Sequence, residues 1–182
     1  MFNLKQRIDM GISMGGLLIK KGNSVSNEKI LDMLGHADAP DRGTTGMEEA
    51  TSRSFEGIGI VRIDDTIVVL GRDIPYSCAL EKGEELSGLD IDLAHLSRAG
   101  DIACFLIDST ADTYAYSIFS GGERIRVNSV SGGQDLFDYG SATEYDQGLE
   151  ATQTGLVRLI RNFTGHSLVE MMDDMDLNVQ LY

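Results

Sequence analysis

The sequence has no tryptophan, only two cysteines, two prolines and three histidines among its 182 residues. Each scarcity narrows what the chain can do. Cys78 and Cys104 lie far apart in apolar surroundings, which predicts two reduced core thiols rather than a disulfide framework. His36, His95 and His166 fall on different expected elements, with no CxxC or HxxxH spacing near them. A local zinc motif or a compact histidine triad is therefore not written into the chain. Positive charge is short as well: 15 Lys and Arg stand against 29 Asp and Glu, a net charge of −14. Phosphate backbones and anionic lipid heads repel such a chain, so neither nucleic acid nor a membrane surface is an expected partner. No apolar run approaches the ~20 residues of a membrane-spanning helix. Met1 to Lys20 lacks the unbroken apolar stretch and small-residue cleavage site of a signal peptide, and the expected location is the cytoplasm.

What is present is an ordinary globular composition, 42% hydrophobic and 24% charged, with 21 glycines to make tight turns. A strand is expected around Leu17-Leu18-Ile19. Ser26 as N-cap, Ile30, Leu31 and Leu34 as an apolar face and Gly35 as the C′ residue predict a short helix. Residues 36–54, with Pro40, Gly43 and Gly46, read as the longest loop. Ile58 to Val61 and Thr66 to Leu70 flank Asp64-Asp65 and predict a hairpin. A short helix is expected within 84–100, before strands at Ile102 to Ile107, Thr113 to Phe119 and Arg124 to Val130. The middle one places Tyr114, Tyr116 and Ile118 on one face and Ala115, Ser117 and Phe119 on the other. Residues 131–140 read as a turn and an irregular acidic aromatic segment. Leu156, Leu159, Ile160 and Phe163, opposite Arg158 and Arg161, mark an amphipathic helix over 151–163, with a shorter helix after Thr164. The expectation is one α+β domain over 1–182: an antiparallel, meander-like sheet with a few short helices packed on it.

Local chemical motifs are weak. Gly11-Ile12-Ser13-Met14-Gly15-Gly16 lacks the Gly-Lys-Ser/Thr ending of a phosphate loop, and its Gly-x-Ser-x-Gly pattern has no room for the preceding strand of a nucleophile elbow. Carboxylates are plentiful but scattered: Asp64-Asp65, Glu81, Glu84 and Glu85, Asp90-Ile91-Asp92, Asp108 and Asp112, Asp135 and Asp138, Glu144 and Asp146, Asp173, Asp174 and Asp176. None has EF-hand spacing, and no metal or cofactor is expected. Most of these acids are expected on a solvated surface. In one stretch, acids and aromatics interleave: Asp135, Phe137, Asp138, Tyr139, Glu144 and Tyr145. Exposed tyrosines among carboxylates suit contact with a basic protein surface.

The segment from about Gly100 to Asp146 resembles small acidic bacterial proteins, carried by Tyr116, Gly121-Gly122, Arg124 or Arg126, Asp138-Tyr139-Gly140 and Glu144. Several members of that group are immunity partners of contact-delivered or secretion-system toxins, and tryptophan, absent here, is common among them. The resemblance implies a protein-binding role; taken with the acidic balance and the interleaved stretch, the expectation is a non-enzymatic protein that binds and neutralises a toxin or effector domain with a basic surface by occluding its active site. The six interleaved residues are the expected contacts, with the 36–54 loop as a second surface. Two alternatives stand beside this expectation: a carboxylate- and metal-dependent hydrolase, and a self-associating module, such as a homodimer, using the Tyr114-Tyr116-Ile118 face.

Overall fold

A computed structural model of the chain describes residues 13–52, 55–71, 74, 88–173 and 177–182. Cys78, Glu81, Glu84 to Leu86, the Gly11 end of the glycine-rich stretch, and Asp174 and Asp176 lie outside the described residues. Nine strands form one sheet in the order β2-β9-β3-β4-β1-β5-β6-β7-β8, every neighbouring pair antiparallel. They are β1 (Ser13–Lys20), β2 (Thr44–Gly46), β3 (Gly59–Ile63), β4 (Thr66–Leu70), β5 (Ile102–Asp108), β6 (Thr113–Ser120), β7 (Glu123–Ser131), β8 (Gln134–Tyr139) and β9 (Asn178–Leu181). The helices are α1 (Asn27–Met33), α2 (Met47–Ala50), α3 (Gly88–Leu96), α4 (Gln153–Thr164) and α5 (Leu168–Asp173). None of them is long and apolar enough to cross a membrane. The α+β expectation holds at this level, and β5 to β7 form the expected meander, which β8 extends by one strand.

The central strands are buried on both faces, which explains why Leu17, Leu18 and Ile19 run without alternation. On one face Leu18, Val68, Phe105, Tyr116 and Ile118 pack with Leu156, Leu159, Ile160 and Phe163 of α4. On the other Leu17, Ile67, Val69, Ile102 and Phe119 pack with Ile30 and Leu31 of α1 and Leu93 of α3. Tyr116 and Ile118 are therefore core residues beneath α4, and the face on which a self-associating module would have relied is not free.

Local signals behave as the chemistry requires. Ser26 Oγ accepts a hydrogen bond from the Lys29 amide at 3.3 Å, capping α1, and Gly35 follows with φ 77°. Thr152 Oγ1 accepts from the Gly155 amide at 3.1 Å at the start of α4, and Gly165 closes it with φ 81°. Asp64, at φ 52°, makes the left-handed corner of the β3–β4 hairpin.

Two expectations are corrected, and one strand is added. The 36–54 stretch is not one long loop: it contains β2 and α2, with Met47 and Ala50 buried in the α4-side core. Residues 134–139 are not irregular but form β8, paired with β7. The short C-terminal β9, which the sequence reading did not anticipate, lies between β2 and β3 and buries Val179.

Candidate functional site

The interleaved acid and aromatic residues fall at the β8 end of the sheet. β8 pairs with β7 through Val127↔Tyr139, Asn128↔Asp138, Ser129↔Phe137 and Val130↔Asp135, with a bulge between Ser129 and Val130. Residues opposite each other share a face, so the register assigns the side chains. Asp135 and Asp138 lie with Val130 and Asn128 on the α4 side, and Phe137 and Tyr139 lie on the other. Phe137 is half-buried, and the other five residues of the strand are exposed. Among the described residues three large hydrophobic side chains are exposed, and two of them, Leu136 at 46% and Tyr139 at 56%, are on β8.

Beneath this strand sits a buried polar anchor. Arg126 of β7 donates from Nε to Asp146 Oδ2 at 3.0 Å, and from Nη1 to Asp138 and to the carbonyls of Tyr139 and Gly140 at 3.0 and 3.1 Å. Asp146 is wholly buried, and it accepts from Tyr116 Oη at 2.8 Å and from the Thr143 amide and hydroxyl at 2.6 and 2.7 Å. Burial alone would raise the Asp146 carboxyl, but the bonds from Thr143, Tyr116 and Arg126 outweigh it and hold the group below the usual carboxylate range. Burial and the facing Asp146 push the Tyr116 phenol well above its ordinary value, so it stays a donor. A carboxylate satisfied on this many sides fixes the 140–146 loop against β7. At Gly140 the chain has φ 82° and passes so close to the Ile125 carbonyl that a Cβ would collide with it, so only glycine fits.

A second tether holds Tyr145. Its ring stacks on Phe163 of α4 with centroids 4.0 Å apart, and its hydroxyl donates to Asp101 Oδ2 at 2.9 Å. Burial and the Asp101 carboxylate raise the Tyr145 phenol as well. Asp101 Oδ1 in turn accepts from Ser120 Oγ at 2.6 Å, and the Tyr145 carbonyl accepts from Asn162 Nδ2 at 2.7 Å.

The six expected contact residues thus divide by role. Asp135, Tyr139 and Glu144 are exposed; Phe137 is half-buried; Asp138 is exposed but bonded to Arg126; Tyr145 is half-buried and tied to the core. Asp146, expected on the surface beside Glu144, is inside the protein, and so is Asp90, which faces Arg124 at 3.6 Å. Sequence reasoning missed Asp146 as an anchor because a carboxylate reads as surface unless its partner is known, and Arg126 is twenty residues away. Of the two arginines that carried the resemblance, Arg126 gathers Tyr116, Asp138, Tyr139 and Gly140, whereas Arg124 turns to Asp90.

The other chemistry-bearing groups stay dispersed. No three His, Cys, Asp or Glu side chains among the described residues gather as a cation would require. His166 Nε2 lies 3.1 Å from Asp64 Oδ2 in an exposed pair. A cavity of about 790 Å³ beside α1 is lined by Met33, Phe55, Ile58, Ile74 and Leu89, with His36 and Glu56 exposed at its rim. No family model, no curated protein and no solved structure matches this chain.

Proposed function

We propose that this protein binds another protein through the β8 end of its sheet, and that the partner is a toxin or effector domain whose basic active-site surface it covers. What supports binding is one observation above the rest: the strand that ends the described sheet carries two exposed large hydrophobic residues, Leu136 and Tyr139, together with the exposed Asp135, and Glu144 is exposed on the loop that follows. Apolar side chains at a sheet edge gain free energy when a partner removes them from water, and carboxylates around them steer a cationic surface to the same place. The toxin class of the partner rests on the resemblance of residues 100–146. The net charge of −14 supports a basic partner over an acidic one.

The Arg126 anchor determines how to test this. Reversing Asp138 would disturb Arg126 and through it the fold, so the informative variant is Asp135→Lys with Glu144→Lys. Tagged wild type and this double variant are used to capture partners from the source cells, and each captured protein is co-expressed with either version. The expected result is a basic protein that arrests growth alone, is relieved by wild type, and associates on the order of tenfold more slowly with the variant. Equal capture and equal relief by both versions, or a captured partner that is harmless, would sink the proposal.

A further inference from the structure

Among the described residues β8 has one long side without a neighbouring strand, and the backbone groups there differ in kind from a side-chain patch. Among the described residues β7 is its only neighbouring strand, and it ends the sheet order. An edge strand presents a row of backbone donors and acceptors that pairs with any extended chain able to approach, unless the protein blunts it with charged side chains, proline, a bulge, shortness or a covering element. β8 contains neither proline nor lysine and is six residues long, about 20 Å; its two charges are the acids Asp135 and Asp138, which repel an acidic strand and attract a basic one. Its bulge lies near the β7–β8 turn, and pairing is regular from Phe137 to Tyr139. The edge is also held rigid from behind, because Arg126 binds the Tyr139 and Gly140 carbonyls and the Asp138 carboxylate.

Three occupants could use that edge: a second copy of this chain, an acidic strand or a basic strand. A second copy brings another net charge of −14 and the same carboxylates. In the antiparallel self-pairing centred between Leu136 and Phe137, Asp135 of each chain faces Asp138 of the other, and like charges directly opposite are destabilising. Asp138 is partly compensated by Arg126, whereas Asp135 projects from the same face exposed.

We infer that β8 accepts an extended segment of the partner as a tenth strand, with basic residues of that segment on the α4 side against Asp135 and Asp138 and apolar residues on the other side against Phe137 and Tyr139. This rests on the proposed protein-binding role and adds its mode: main-chain hydrogen bonds give affinity, and the two faces of the strand give the sequence preference. The partner segment is thereby specified as alternating basic and apolar residues, with no proline inside it.

Hydrogen exchange of the full-length protein tests this with two synthetic peptides, one alternating lysine and valine, the other glutamate and valine. The lysine peptide should slow the outward-facing amides of 134–139 by about tenfold when present at ~10 Kd. The glutamate peptide should leave them unchanged, and Asp135→Lys, an exposed substitution, should narrow or reverse that preference. Equal protection by both peptides would refute the charge selection. Binding of the lysine peptide with β8 amides still exchanging at the free rate would refute strand addition while leaving the acidic protein-binding surface intact. Protection that grows with protein concentration in the absence of peptide would make a second copy the occupant and overturn the assignment.

Discussion

The two edges of the sheet are built in opposite ways. At the β2 edge the strand is three residues long and leads directly into α2, whose Met47 and Ala50 are buried. The chain before it is tied to β9: the Arg42 amide donates to the Leu181 carbonyl at 2.9 Å, the Leu181 amide to the Gly43 carbonyl at 2.8 Å, and Gln180 Nε2 reaches the Gly43 carbonyl at 2.9 Å. A strand of about 10 Å, bound in this way, offers little template to another chain. At the β8 edge the strand is twice as long and exposed on its side chains, and the polar groups that stabilise it lie behind it rather than over it. The difference is that one edge ends in a three-residue strand tied tightly to β9, whereas the other ends in a longer strand, stiffened by Arg126, that has no further neighbouring strand among the described residues. An open edge with a rigid backing is pre-organised for pairing, since little ordering is required at the moment of contact.

Removing the backing should break this contrast most severely. Arg126→Leu leaves the Asp146 carboxylate buried without its cation, and the expected loss is about 3–5 kcal/mol in chemical denaturation. Exchange protection should fall first at β7 and β8 while β2 and β9 keep theirs; a uniform loss would mean that the anchor does not act locally. Gly140→Ala should follow, at about 1–3 kcal/mol, because the new Cβ meets the Ile125 carbonyl in a left-handed backbone. A wild-type midpoint in that variant would show that the close approach relaxes without penalty.

Acid should sharpen the same comparison. The Asp146 carboxyl is held below the ordinary value near 3.9 that it regains on unfolding. Its stabilising contribution is therefore complete above about pH 4, and it is lost as pH falls from there through the lowered folded value. The slope from this one group is at most about 1.4 kcal/mol per pH unit. Asp146→Asn should be less stable at neutral pH yet flatter across the acid limb of a pH–stability curve; an unchanged slope would assign the acid sensitivity to other carboxylates. Smallest of all, Asp135→Lys should change stability by no more than about 0.5 kcal/mol, since its side chain is exposed. A larger loss would make Asp135 part of the fold rather than of a binding edge.

Much of the architecture could be read along the chain. Asp64-Asp65 between two β-branched runs announced the β3–β4 hairpin. The alternation of Tyr114 to Phe119 announced β6 and assigned its faces correctly. Ser26 and Gly35 framed α1, and Leu156, Leu159, Ile160 and Phe163 gave α4 its buried stripe. These signals are local: a cap, a turn or a periodicity needs only its own few residues to express its preference. The acid and aromatic stretch was also visible as composition, and it does lie at one end of the sheet.

What failed to show was what depends on residues far apart. β2 and β9 are three and four residues long, and neither has enough periodicity to announce itself until Thr45 meets Val179 across the chain. β8, full of acids and flanked by glycines, has the composition of a loop and becomes a strand through pairing with β7. Asp146 reads as one more surface carboxylate, and its burial follows from Arg126, Tyr116 and Thr143 converging from three segments. The sequence by itself determined the local elements and the strongly acidic balance, because propensity and charge are carried residue by residue. Only the tertiary structure decided which strand ends the described sheet and which carboxylate turns inward, because both are settled by long-range pairing and by satisfying buried polar groups.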